Sequence, residues 1–171
     1  MRIPLLALTF ACALSAQDAV NYQFSLRANQ GGSTLRDQGA DQGGGGGGFA
    51  MILGAEPLRL RVRMDGDNFP GKSNPINTYG IGAEALLVAG NPGSFHPYLS
   101  AGPAFEQWKI GAPDGFSSNS TVNKLAWRVE GGVWYKQALG LHVGVLTGLL
   151  QSGQRVTFTY IGLSVFMGGS R

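Results

Sequence analysis

The run Leu58-Arg59-Leu60-Arg61-Val62-Arg63-Met64-Asp65 alternates aliphatic and charged residues without a break. In an extended strand successive side chains point to opposite faces, so the apolar residues share one face and the charges the other. A face carrying Arg59, Arg61 and Arg63 needs bulk water or acidic partners, because a buried cation without a partner is very costly. What the rest of the chain places opposite that face decides what it can fold into.

The 171 residues suit one domain. Only 13% are charged, about half the usual share, and 28 are glycine. The net charge of +3 is scattered, and no cluster of Lys and Arg faces outward, which argues against nucleic-acid binding. Arg2, the apolar stretch Ile3 to Leu14 and the small residues Ala13, Ser15 and Ala16 read as an export signal over 1–16, leaving a mature domain at 17–171. The apolar stretch is too short to span a membrane as a helix. Cys12 lies inside that signal, and the preceding Thr9-Phe10-Ala11 does not look like an acylation motif. The mature chain therefore has no cysteine, and an exported chain of this kind must be stabilised by a core or by lipid.

Beyond the signal no segment has a convincing helical period, whereas period two recurs throughout. Eight strands are expected, at roughly 19–28, 48–56, 58–66, 77–89, 95–109, 123–136, 138–150 and 155–167. The last illustrates the pattern, with Ile161, Leu163, Val165 and Met167 opposite Tyr160, Gly162 and Ser164. Between them, long connections at 29–47, 67–77 and 111–122 alternate with short ones at 55–57, 90–94 and 137–138. In an up-and-down meander this puts the long loops at one end and the tight turns, with both termini, at the other. Outer-membrane barrels have that asymmetry.

A membrane barrel and a soluble calyx both alternate, and the character of the polar row separates them. Here the row is thin, with Gly80, Gly82, Gly102, Gly132, Gly144 and Gly148 among its members. Such a row makes a poor solvent surface and suits a cramped interior. Its charges nearly cancel: Arg27, Arg59, Arg61, Arg63 and Arg128 against Asp65, Glu84, Glu106 and Glu130. These nine are the candidate site residues, an ion-paired network in the lumen. Arginine's planar fork suits bidentate pairing, and an eight-stranded barrel is just wide enough to be filled by side chains. Slipping the Leu58–Asp65 strand by one residue would turn three arginines to lipid, at about 2–4 kcal/mol each near the midplane. Tyr22, Tyr79, Trp127 and Tyr135 fall near the expected strand ends on the apolar row, where interfacial aromatics sit.

His96-Pro97-Tyr98-Leu99-Ser100-Ala101-Gly102 and Val129-Glu130-Gly131-Gly132-Val133-Trp134-Tyr135 carry a resemblance. The first is similar to the fifth-strand pattern of the eight-stranded bacterial outer-membrane barrel family, which includes opacity-type and outer-membrane-protein-A-type domains. The second resembles that family's Gly-Gly-x-aromatic strand before a tight turn. The resemblance implies an integral outer-membrane protein that meets membrane lipid and the barrel-insertion machinery. The family usually ends on a terminal Phe, whereas Phe166-Met167 is followed here by Gly168-Gly169-Ser170-Arg171.

Other motifs read blandly. The glycine run Gly43–Gly48 lacks the Lys of a phosphate-binding loop and reads as a flexible loop. Some eight-stranded barrels are lipid A deacylases with a His-x-Ser arrangement, but after His142 the matching position is Gly144, so His142 is expected as a hydrogen-bonded lumen residue. Neither His96 nor His142 has a second ligand at metal spacing. The expectation is an all-β, eight-stranded antiparallel up-and-down transmembrane barrel in a bacterial outer membrane. It is read as non-enzymatic, without cofactor, monomeric and non-conducting, with a structural or surface-interaction role. A soluble secreted barrel holding an apolar ligand, and a narrow pore, are the alternatives.

Overall fold

The computed structural model describes residues 20–32, 35, 42–71, 75–89, 94–110, 120–136, 138–149 and 155–167. Eight strands run in chain order: β1 (Asn21–Gly31), β2 (Gly43–Leu53), β3 (Leu58–Phe69), β4 (Ile76–Val88), β5 (Phe95–Ile110), β6 (Ser120–Tyr135), β7 (Leu139–Leu149) and β8 (Arg155–Met167). Each pairs antiparallel with its neighbours in sequence, and β1 closes on β8. Every strand therefore has both edges paired, the condition for a sheet to cross hydrocarbon. The expected signal at 1–16 and the tail after Met167 lie outside the described residues.

Exposure alternates along the strands with the period that the sequence shows. Tyr22, Phe24 and Leu26 on β1 point out, as do Leu139, Leu141 and Val143 on β7 and Ile161, Leu163 and Val165 on β8. The intervening residues of β1 are Asn21, Gln23, Ser25, Arg27 and Asn29, all buried. A soluble barrel has the opposite arrangement, with apolar rows inside and polar rows in water. The outer surface here is hydrocarbon-like from β1 round to β8.

Three expectations from sequence are corrected. Gly43–Gly48 is not a loop but the first half of β2, paired along both β1 and β3. Glycine serves there because the strands approach closely. A Cβ at Gly46 would stand 2.0 Å from Asp67 Oδ1 and 2.5 Å from the Gly66 carbonyl oxygen. The connections are shorter than expected, at 32–42, 70–75 and 111–119, because β1, β2, β3 and β6 all extend beyond their expected ends. Trp127, expected near a strand end, lies in the middle of β6, facing outward. The other girdle residues do sit near strand ends: Tyr22 stacks on Phe49 at 5.7 Å and Tyr135 packs on Phe95 at 5.1 Å.

Candidate functional site

The inward row of β3 sets the middle of the lumen. Arg61 and Arg63 project from adjacent inward positions towards Glu84 on β4 and Glu130 on β6. Arg61 donates from Nε to Glu84 Oε2 at 2.8 Å, from Nη1 to Glu130 Oε1 at 2.7 Å and from Nη2 to Ser100 Oγ at 2.5 Å. A further contact joins its Nη2 to Glu84. Arg63 Nη1 donates to Glu130 Oε2 at 2.7 Å. Glu130 also accepts from the Tyr98 and Tyr160 hydroxyls, each at 2.8 Å. One carboxylate thus accepts four donors from three different strands, β3, β5 and β8.

Two glycines make that convergence possible. Tyr98 crosses Gly132 on β6, where a Cβ would lie 2.7 Å from its ring. Tyr160 crosses Gly144 on β7, where a Cβ would lie 2.4 Å from Cζ. With no side chain in the way, each phenol lies along the wall and reaches Glu130.

A second cluster sits nearer the end carrying the 32–42 and 70–75 connections. Arg128 donates to Asp65 through both terminal nitrogens, at 2.8 and 3.0 Å, and to Glu106 at 3.2 Å. Arg27 Nη2 donates to Asp65 Oδ1 at 2.5 Å and to both oxygens of Asp67 at 2.9 Å. Asn29 donates to Asp67 at 2.7 Å. The fork of Arg128 on Asp65 is the bidentate geometry that favours Arg over Lys.

Eight of the nine candidate residues therefore meet in this layer. Arg59 does not join it: it lies near the other end of the barrel, within 3.4 Å of Glu56 and partly exposed. Two charges that the sequence reading left out do join the interior. Asp67 falls in an expected loop, because β3 runs three residues beyond its expected end. Lys124 is buried with its Nζ 3.8 Å from the centre of the Trp108 ring. Parity within the expected strand at 123–136 points Lys124 inward with Arg128 and Glu130, and parity carried past 66 does the same for Asp67.

The ionic layer fills only the middle of the lumen. Towards one end Phe69, Ile76, Trp108, Leu146, Val156 and Phe158 form a buried apolar cluster, joined by Leu35 from the β1–β2 connection. Phe69 meets Phe158 edge-on at 5.2 Å. Towards the other end Ile52, Leu86, Val88, Tyr98 and Trp134 form a second cluster, with Phe166 packed against it. Trp134 lies 4.8 Å from Tyr98 and 4.9 Å from Phe166. The sequence reading expected a thin row of small polar residues throughout. At the strand ends that row instead carries the largest apolar side chains of the interior.

His142 is buried on the lumen side, edge-on to Tyr160 at 6.1 Å. The expected hydrogen bond is not made: neither ring nitrogen has a partner among the described residues. Tyr160 covers the place where a serine at position 144 would project. Among the described residues no three His, Cys, Asp or Glu side chains are grouped to hold a metal ion.

No family model matches the sequence, and no curated protein matches it by sequence. Solved structures match it by fold. Neisserial surface protein A (NspA) superposes with a TM-score of 0.60 at 18% identity, over 87% of this chain and 99% of NspA. Ail, the attachment invasion locus protein of Yersinia pestis, gives 0.56 at 8% identity, over 88% and 99%. The N-terminal β-barrel domain of Pseudomonas aeruginosa OprF gives 0.55 at 10% identity, over 86% and 97%. A closed eight-stranded barrel with an apolar exterior and a polar-centred interior, sharing the fold of these proteins, is a transmembrane β-barrel.

Proposed function

We propose that this protein is a non-enzymatic, monomeric outer-membrane barrel whose lumen does not conduct, and which acts structurally or through its surface connections. The observation that carries the reading is the stacking of the lumen. A layer of paired charges is closed on both sides by apolar clusters, so an ion would meet both a desolvating barrier and fixed countercharges. The connections at 32–42, 70–75, 111–119 and 150–154 share one end and are the candidate contact surface. Membrane lipid and the insertion machinery are the partners this reading requires. Crystals of Ail were obtained with the heparin analogue sucrose octasulfate, which supports testing polyanionic glycans first among partners of those connections.

Reconstitution into planar bilayers tests the lumen. Discrete conductance steps from the purified full chain would show that the charges line a pore rather than plug it. Fractionation of the envelope and migration on an unheated detergent gel test the location. A chain that stays soluble in buffer after export would end the outer-membrane reading.

A further inference from the structure

The outer surface is not equally filled all round. Over β4 and β5 the large pairs Ile81 with Phe105 and Leu87 with Leu99 flank a low stretch of Ala83, Ala85, Ala101 and Pro103. Over β1, β7 and β8 it is hollowed. One hollow, of about 880 Å³, lies between Phe24, Leu26, Leu141, Leu163 and Val165, with the Gly162 backbone in its floor. A second, of about 620 Å³, continues from it over Val129, Gly131, Val143 and Val145. Ala28 and Ile161 line both, so the two form one groove. Two small outward residues, Ala28 and Gly131, contribute to its depth, between larger neighbours such as Leu26 and Val129.

The groove has a polar end. Towards the 32–42 and 150–154 connections, the outward positions change from aliphatic to Thr147, Thr157, Thr159 and Gln30. The Thr147 and Thr157 hydroxyls are 3.0 Å apart, and the Thr159 hydroxyl lies 3.4 Å from the Gln30 carbonyl oxygen. The described side chains of this rim offer hydroxyl and amide groups without charge. An apolar channel ending in neutral hydrogen-bonding groups is complementary to an amphiphile, with its tail along the barrel and its ester, amide or sugar hydroxyls at the rim.

We propose that the groove over β7, β8 and β1 holds one acyl chain of an outer-membrane lipid, its neutral headgroup atoms resting on the Thr147, Thr157, Thr159 and Gln30 rim. The proposal rests on the outer-membrane reading, which puts this face in hydrocarbon, and goes beyond it by singling out one lipid position. A tail lying in a concave slot meets protein on more than one side and gains dispersion contacts that a flat surface does not offer.

The full chain, purified from outer membranes in mild detergent and passed through repeated detergent exchange, is to be read by native mass spectrometry and by fatty-acid analysis. About one endogenous lipid per barrel is expected to remain. Ala28→Trp with Gly131→Trp should fill both hollows and cut retention about tenfold. A Cβ at Gly131 meets nothing nearer than 3.8 Å, so its backbone accommodates a side chain. Ile161→Trp serves as an independent filling variant, and Leu99→Trp on the opposite face should leave retention unchanged. Thr157→Val with Thr159→Val should lower it about threefold.

Wild-type protein free of lipid, or retention untouched by both filling variants, would overturn the proposal. So would a sedimentation dimer dispersed by those variants, which would assign the face to a second copy. Heat-modifiable migration of each variant reports separately on the folded barrel. If it and membrane fractionation hold while lipid is lost from the wild type, only the groove assignment fails. If fractionation fails, the location is wrong.

Discussion

Glu130 accepts from more different side chains than any other acceptor described, since Arg61, Arg63, Tyr98 and Tyr160 all donate to it. Its replacement by Leu leaves Arg63 with one distant carboxylate, Glu84 at 3.5 Å, among its partners there, and strips two buried phenols of their acceptor. Removing one member of a buried ion network typically costs about 3–5 kcal/mol. Glu130→Leu should lose that much in urea unfolding from lipid vesicles, followed by tryptophan fluorescence. Because the side chains involved are dry, the loss should hold from low to high salt, where exposed pairs are screened. Arg59→Ala is the contrast: its pair with Glu56 is partly exposed, and the same assay should register under about 1 kcal/mol. The alternation around Leu58–Asp65 made the inward charges readable from sequence. Which arginine meets which carboxylate was not readable, because the partners lie up to 69 residues apart.

At the scale of the strand, register is what the sequence enforces most strongly. Val62 points outward between Arg61 and Arg63, near the middle of β3. Val62→Arg should cost about 2–4 kcal/mol in the same vesicle unfolding measurement, the cost of a guanidinium near the bilayer midplane. Gly46→Ala is conservative by composition and disruptive by geometry. Its methyl would press on the Gly66 carbonyl oxygen, which belongs to a paired strand and cannot rotate away. A loss of about 1–3 kcal/mol is expected, the usual range for overpacking. Strand β2 is also where sequence reasoning failed most visibly. A run of six glycines reads as a loop because glycine has no side-chain preference for a strand and loses the most entropy on ordering. Pairing along both edges with β1 and β3 overrides that preference, and no local signal announces it.

For the whole molecule the lumen is a stack of three layers, and its tightness should not depend on any single side chain. Trp134 fills the cluster nearest the termini, and Trp134→Ala should cost about 3–5 kcal/mol through the cavity it leaves. The ionic layer beneath remains in place, so planar-bilayer recordings of that variant should still show no conductance steps. The apolar clusters themselves were within reach of the sequence. Ile52, Leu86, Val88 and Phe166 share the parity of the lumen row, but large apolar residues at strand ends read more readily as belonging to the lipid face.

Alternation determined most of the strands and their two faces, because a period of two is a property of the backbone that each strand displays by itself. The thin, charge-balanced polar row determined the lipid-facing side and most of the charged interior. Closure decided the rest. Bringing β1 beside β8 put Arg27 across from Asp67, set Tyr98 and Tyr160 on either side of Glu130, and drew Leu35 into the mouth. Those contacts depend on stagger and curvature, which join residues distant in sequence and leave no periodic trace in it. The groove over β7, β8 and β1 arises in the same way, since small residues on separate strands form a hollow only after the barrel has closed.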